Sequence, residues 1–136
     1  MSTPGVLVDS NVILDVLTND RKWAKWSAPT LERAAESYVL IINPIIYAEL
    51  LMGFTDRAEL ERLLAPGWFE RRPVPWEASF LAARAFLRTR KRVGGVRPAL
   101  PDFYIAAHAV VEDLTLLTRD PKRYQAHFRE VKLMAP

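Results

Sequence analysis

Val6-Leu7-Val8-Asp9-Ser10-Asn11-Val12-Ile13-Leu14-Asp15-Val16-Leu17 is the stretch whose reading decides the fold. An unbroken apolar run meets an acid, and the apolar residues beyond it recur at helical spacing. A strand apolar on both faces belongs inside a sheet covered on both sides, which is the situation of an α/β protein. The pattern predicts a first strand over Val6–Asp9 that ends at the acid. A short helix over Asn11–Leu17 follows, capped by Ser10 or Asn11.

The same alternation continues outward from this stretch. Ser27–Glu36 reads as a second helix, with Pro29 tolerated only in its first turn; Trp23 and Trp26 leave open a backward extension with a kink at the proline. Tyr38–Ile42 is the most β-prone segment and reads as the second strand. Asn43-Pro44 stops it and starts a helix carrying Tyr47, Glu49 and Leu50. Arg57–Leu64 reads as a helix closed by Pro66-Gly67. Phe69–Arg72 reads as an edge strand, because Pro73 and Pro75 suit an edge and not a centre. Trp76–Arg92 is the longest helix, and Trp76, Phe80, Ala83 and Leu87 predict its buried stripe. A helix from Pro101 to about Val111 and strands over Leu114–Thr118 and Val131–Met134 complete an α/β domain with a mainly parallel sheet.

Composition narrows the class. At 136 residues the chain is expected to form one domain, residues 1–136, with enough core to need no covalent staples. Half the residues are hydrophobic and 26% are charged, which excludes disorder. The absence of cysteine excludes disulfides, thiolate chemistry and cysteine-ligated zinc, and two histidines make an all-histidine metal site untenable. Bases outnumber acids 19 to 16, and 14 of the 19 are Arg, whose planar fork suits phosphate or carboxylate. The longest apolar runs, Tyr38–Ile42 among them, are far shorter than the roughly 20 residues of a membrane span. With no basic region before the first apolar stretch, the expectation is a soluble cytoplasmic protein.

Asp9, Glu49, Asp102 and Asp120 occupy comparable places. Asp9 ends the first strand, Glu49 lies in the helix after the second, Asp102 is in the first turn of a helix, and Asp120 follows the strand Leu114–Thr118. Loops leaving the carboxyl ends of parallel strands line one crevice. Singly, each acid has a local explanation: an Asx turn at Asp9, a solvated helix position at Glu49, a helix-dipole partner at Asp102, an N-cap before Pro121 at Asp120. Their convergence is what carries weight. Carboxylates forced together repel and persist with shared protons or bound cations. Oxygen ligands without Cys or His select Mg²⁺ or Mn²⁺, ions that typically work on phosphate substrates.

Four segments carry a resemblance: Val8-Asp9-Ser10-Asn11-Val12-Ile13-Leu14-Asp15, Asn43-Pro44-Ile45-Ile46-Tyr47-Ala48-Glu49-Leu50, Pro101-Asp102-Phe103-Tyr104-Ile105-Ala106-Ala107-His108-Ala109 and Leu117-Thr118-Arg119-Asp120-Pro121-Lys122-Arg123-Tyr124. In order and spacing they resemble the motifs of PIN-domain nucleases, most of all the VapC toxins of toxin–antitoxin pairs. The resemblance implies a three-layer α/β/α domain with a mainly parallel sheet of four to five strands. It implies a Mg²⁺- or Mn²⁺-dependent endoribonuclease in which Asp9, Glu49, Asp102 and Asp120 hold the metal. Thr118 then matches a hydroxyl position near the metal, and Asn11 a supporting polar one. Water rather than the ribose 2′-OH would attack, leaving a 5′-phosphate and a 3′-hydroxyl. It also implies a tRNA or rRNA substrate, a VapB-like antitoxin that wraps the chain, and a homodimer. The alternative is a PIN-fold module that binds RNA or protein without cutting.

Outside the motifs, Arg84, Arg88 and Lys91 share one face of the long helix, and Arg90, Arg92 and Arg97 extend it toward Asp102. The expectation is that Arg88, Arg92 and Arg97 contact RNA phosphates. His108 lies six positions after Asp102, about 240° around a helix, so it faces away and reads as a core or interface residue. His127 reads as a surface residue. Trp23, Trp26, Tyr47, Phe54 and Trp68 read mostly as core, with two or three left to line a groove for a partner helix. A phosphoacceptor receiver domain needs adjacent acids after the first strand, and Ser10 follows Asp9. Haloacid-dehalogenase-type phosphatases need Asp-x-Asp there, and Asn11 stands in the second place.

Overall fold

The computed structural model describes residues 3–64, 66–90 and 99–136. The strands are β1 (Gly5–Val8), β2 (Val39–Ile42), β3 (Glu70–Arg71), β4 (Thr115–Leu117) and β5 (Lys132–Met134). They form one sheet in the order β3-β2-β1-β4-β5, and every pairing is parallel. β1 is central, with Val6, Leu7 and Val8 fully buried. Successive strand residues point to opposite faces, so the sheet carries helices on both. Glu70 and Arg71 are exposed, and β3 is an edge strand as the flanking prolines require.

The chain runs outward from β1 to β2 and β3, then returns to the other side of β1 for β4 and β5. The strand order therefore reverses between β1 and β4. In parallel sheets that is where a crevice opens at the carboxyl ends, because the loops leaving the two strands diverge. Asp9 follows β1 and Thr118 follows β4, one on each lip.

The helices among the described residues are α1 (Ser10–Leu17), α2 (Ala24–Ser37), α3 (Pro44–Leu51), α4 (Arg57–Leu63), α5 (Trp76–Arg90), α6 (Leu100–Val111) and α7 (Lys122–Gln125). Asp9 itself caps α1, its carboxylate accepting from the Ser10 amide, so neither Ser10 nor Asn11 is the cap. Asn43 caps α3 by accepting from the Ile46 amide, with Pro44 in the first turn, where the missing N–H costs nothing. α2 does extend backward, leaving Pro29 in its interior. Beside the proline, the Thr30 hydroxyl donates to the Trp26 carbonyl at 2.6 Å. α1 and α6 both stop at a residue with left-handed backbone, Asn19 (φ 50) and Asp113 (φ 52).

One expectation fails clearly. On α5 the residues expected to be buried, Trp76, Phe80 and Leu87, are 89%, 63% and 49% exposed, and Ala83 is exposed as well. The buried face consists of Ala78, Ala82, Ala85 and Thr89. It meets α6, which buries Ala106, Ala107 and Ala109. Small side chains on both helices allow close backbone approach along this face, and Phe86 of α5 packs edge to face on Phe103 of α6 beside it.

Candidate active site

Asp9 is fully buried immediately after β1, and its amide donates to the Leu117 carbonyl at 2.8 Å, which ties it to β4. Its two oxygens differ. Oδ2 accepts from the Thr118 hydroxyl at 2.9 Å, the Tyr124 hydroxyl at 2.8 Å and the Asn11 side-chain amide at 3.4 Å. Among the described residues Oδ1 accepts the Ser10 amide alone, at 2.9 Å, which leaves it an unused lone pair. Thr118 is the hub of this group. Its Oγ1 also accepts from Asn11 Nδ2 at 3.3 Å and from the Asp120 amide at 3.1 Å. Asn11 in turn accepts the Arg119 amide through Oδ1 at 3.3 Å. One hydroxyl thus sets the carboxylate after β1 and the backbone of the acid after β4.

Glu49 comes from α3 and Asp102 from the first turn of α6. The Ser10 hydroxyl donates to Glu49 at 3.1 Å. Burial raises the carboxyl pKa of Glu49, the charge of Asp9 raises it further, and Ser10 and Arg123 offset part of this. Asp102 is also raised, first by burial; Arg123 opposes the rise, and Asp9 and Asp120 add to it. These couplings place Asp9, Glu49, Asp102 and Asp120 in one electrostatic group. As the side chains stand, no three acids or histidines among the described residues converge on a common ligand point.

Arg123, in the single-turn helix α7, answers that negative charge. Its guanidinium pairs with Asp102 through Nη2 and lies 3.8 Å from Asp9 Oδ2 through Nη1. Burial acts to ease its proton off, but the charges of Asp9 and Asp102 outweigh it and hold the pKa above the usual arginine value. The Tyr124 hydroxyl is pushed far up by burial, then by Asp9, so it remains a donor. Neither residue, nor α7 itself, was singled out from the sequence. The signal available was the run Arg119-Asp120-Pro121-Lys122-Arg123-Tyr124, which sets bases and a phenol beside the fourth acid.

A second buried acid, Asp15, sits one helix turn behind the site, accepting from Ser27 Oγ at 2.7 Å and Arg119 Nε at 2.8 Å. It fixes α1 against α2 and anchors the segment carrying Asp120. His108 is fully buried, with Nδ1 2.9 Å from Asn43 Nδ2 and Nε2 2.9 Å from Glu112 Oε1. The ring therefore donates from Nε2 and accepts at Nδ1, joining the cap of α3 to α6. His127 is not an open surface residue. It is half-buried, 3.0 Å from the Thr89 hydroxyl, and tilted against the Phe103 ring. Trp26, Tyr47, Phe54 and Trp68 are half-buried against the core, and Trp23 lies under the Arg119 guanidinium. Trp68 also lines an apolar groove with Tyr38, Val39 and Phe69. Arg88 is exposed on α5; Arg92 and Arg97, together with Lys91, lie outside the described residues.

The donor chemistry fits a hard divalent cation. All the acids present oxygen, Asp9 and Asp102 are almost fully buried, and their mutual charge is already drawing a guanidinium between them.

The sequence of residues 6–131 matches the family described as PIN domain. The fold resembles VapBC2 from Rickettsia felis bound to a DNA fragment from its promoter, with a TM-score of 0.75 and 18% identity over 96% of this chain and 98% of that one. It resembles VapBC-1 from nontypeable Haemophilus influenzae with a TM-score of 0.73 and 18% identity, covering 96% of each chain. It also resembles a toxin–antitoxin complex from Klebsiella pneumoniae, with a TM-score of 0.64 and 23% identity over 93% of this chain and 95% of that one. No curated protein matches the sequence.

Proposed function

The chain belongs to the PIN-domain family, and from that premise we propose that it is a Mg²⁺- or Mn²⁺-dependent endoribonuclease acting as the toxin of a VapBC-type pair. The observation that carries the reading is the gathering of acids beside the point where the sheet order reverses: Asp9 held by Thr118, Glu49 bonded by Ser10 beside it, and Asp102 sharing the Arg123 guanidinium with Asp9. Asp9, Asp102 and Asp120 would hold the metal, with Glu49 completing the set directly or through water. Such an ion, when bound, supplies an activated water and offsets charge on the leaving oxygen of a phosphodiester.

The rest of the chemistry belongs to the chain. Thr118, Tyr124 and Asn11 fix Asp9 in one rotamer, so its other oxygen is presented without further ordering. Ser10 holds Glu49 across the crevice. His108 and His127 are both engaged elsewhere, so a histidine-pair mechanism through the 2′-OH has no bases to run it. The products are then a 5′-phosphate and a 3′-hydroxyl. Arg88 on α5, with Arg92 and Arg97, would grip the RNA backbone, and a tRNA or rRNA is the substrate class.

Two partners belong to the same reading. A VapB-like antitoxin is supported by similarity to toxin–antitoxin folds and by the apolar groove at Tyr38, Trp68 and Phe69, which suits a partner helix. A homodimer is supported by the exposed face of Trp76, Phe80, Leu87 and Leu100, a patch that a second copy would cover. A cytoplasmic location is part of the same reading; no helix among the described residues is long and apolar enough to cross a membrane.

The test is incubation of purified protein with mixed cellular RNA and Mn²⁺ or Mg²⁺, with and without EDTA, beside Asp9→Asn and Asp102→Asn. Cleavage that stops with EDTA and in both variants is expected. Cleavage that persists in them refutes the metal-held mechanism, and cleavage of no RNA favours a binding module on the same fold.

A further inference from the structure

We infer that Arg123 is a built-in counter-cation of the candidate site, and that a divalent metal binds by exchange with it. The inference rests on the proposed metal-dependent reading and goes beyond it, because it concerns a residue outside the four acids. The guanidinium spans the two most deeply buried of the four acids, bonding Asp102 through Nη2 and approaching Asp9 Oδ2 to 3.8 Å through Nη1. Both carboxylates are nearly or fully buried, and each would be an uncompensated charge without it.

A metal and this guanidinium compete at Asp102 through charge, since the carboxylate has two oxygens and Arg123 takes only one of them. Asp102 Oδ1 accepts from Arg123, and a divalent ion on the same carboxylate would set two cations side by side in a poorly solvated crevice. The local build allows one to leave. Tyr124, 1% exposed and bonded to Asp9, pins the backbone of α7. Arg123 itself is 30% exposed at the side chain, so its chain of single bonds can swing outward without moving that backbone. Adjacent residues thus divide the work: Tyr124 is the fixed anchor and Arg123 the displaceable cation. The metal-free site is kept compact, and metal affinity is lowered by the free energy of the pair that must be broken.

The linkage has a definite sign. Removing the guanidinium removes a competitor, so binding tightens, whereas loss of a residue that helps to hold metal weakens it. MnCl₂ is titrated calorimetrically into EDTA-stripped wild type, Arg123→Gln and Arg123→Lys. Arg123→Gln is expected to bind Mn²⁺ about tenfold more tightly, with Arg123→Lys between it and wild type because an ammonium still competes. Equal or weaker binding by Arg123→Gln overturns the inference. If wild type and Arg123→Gln both fail to bind Mn²⁺, the metal-dependent reading itself falls and the inference with it. A measurement on wild type needs no variant: the Arg123 Nε–H resonance is followed during a MgCl₂ titration. Displacement moves it, and a resonance unmoved at saturation overturns the exchange.

Discussion

Tyr124→Phe deletes one oxygen and nothing else. That oxygen donates at 2.8 Å to Asp9 Oδ2, both residues are buried to within 1%, and Tyr124 is held protonated by burial and by the carboxylate. Phe fills the same space, so no cavity contributes. The loss is one hydrogen bond to a charged acceptor, about 1.5–3 kcal/mol. Asp9 keeps the Thr118 hydroxyl and the Ser10 amide, so the carboxylate is weakened in its support and not abandoned. For a chain of this size the expected fall in Tm is roughly 5–10 °C. Thermal unfolding of the EDTA-treated protein measures that fall, and urea denaturation at neutral pH measures the free-energy loss, with an unchanged m-value as the sign that the unfolded state is unaffected. Support of a metal ligand is lost as well, so Mn²⁺ affinity should weaken by about tenfold. That is the opposite sign to the effect expected at neighbouring Arg123. A stability change below about 0.5 kcal/mol would show that the hydroxyl does not bond an ionised Asp9, and the account of how Asp9 is oriented would then be wrong.

Glu49→Gln keeps an oxygen for the Ser10 hydroxyl but removes a charge that burial and Asp9 disfavour, so the metal-free protein should become more stable while RNA cleavage is lost. The sign with pH follows from the raised carboxyl: the folded state holds its proton more tightly than the unfolded state. Wild type therefore loses stability relative to Glu49→Gln as pH climbs above the ordinary value of 4.5; urea titrations in EDTA that show a constant gap would refute this. Phe103→Ala empties the cluster of Phe86, His127 and Phe128 beside Asp102 and should cost about 3–5 kcal/mol, read by chemical denaturation; a cost under about 1 kcal/mol would mean the cluster is loose. Trp76→Ala combined with Phe80→Ala should leave monomer stability within about 0.5 kcal/mol and dissociate the proposed homodimer in sedimentation velocity; an intact dimer would place the interface elsewhere.

Much of the candidate site is legible in the sequence because its parts are set by local rules. A strand apolar on both faces, an acid at its end and a helix directly after it put Asp9 at the carboxyl edge of a sheet. Asn43-Pro44 does the same for the helix that carries Glu49. Arg123 and Tyr124 were not legible, since nothing in a short basic segment says that it folds back over the first strand. Their roles depend on pairings across 115 residues between Tyr124 and Asp9 and 21 between Arg123 and Asp102.

By itself the sequence determined the parallel α/β architecture, the edge position of β3 and the acids at strand and helix ends, because these follow from periodicity, proline and capping. The tertiary structure alone decided which face of α5 is buried. Two stripes recur there at helical spacing, one of large apolar residues and one of alanines, and periodicity cannot rank them. Packing does, since the buried alanines of α5 meet those of α6 in close approach, and the Phe86–Phe103 pair, not the Trp76–Phe80–Leu87 stripe, supplies aromatic contact between the two helices. It also decided that the acids meet a guanidinium, because charge repulsion in a buried crevice recruits whichever cation the fold brings within reach.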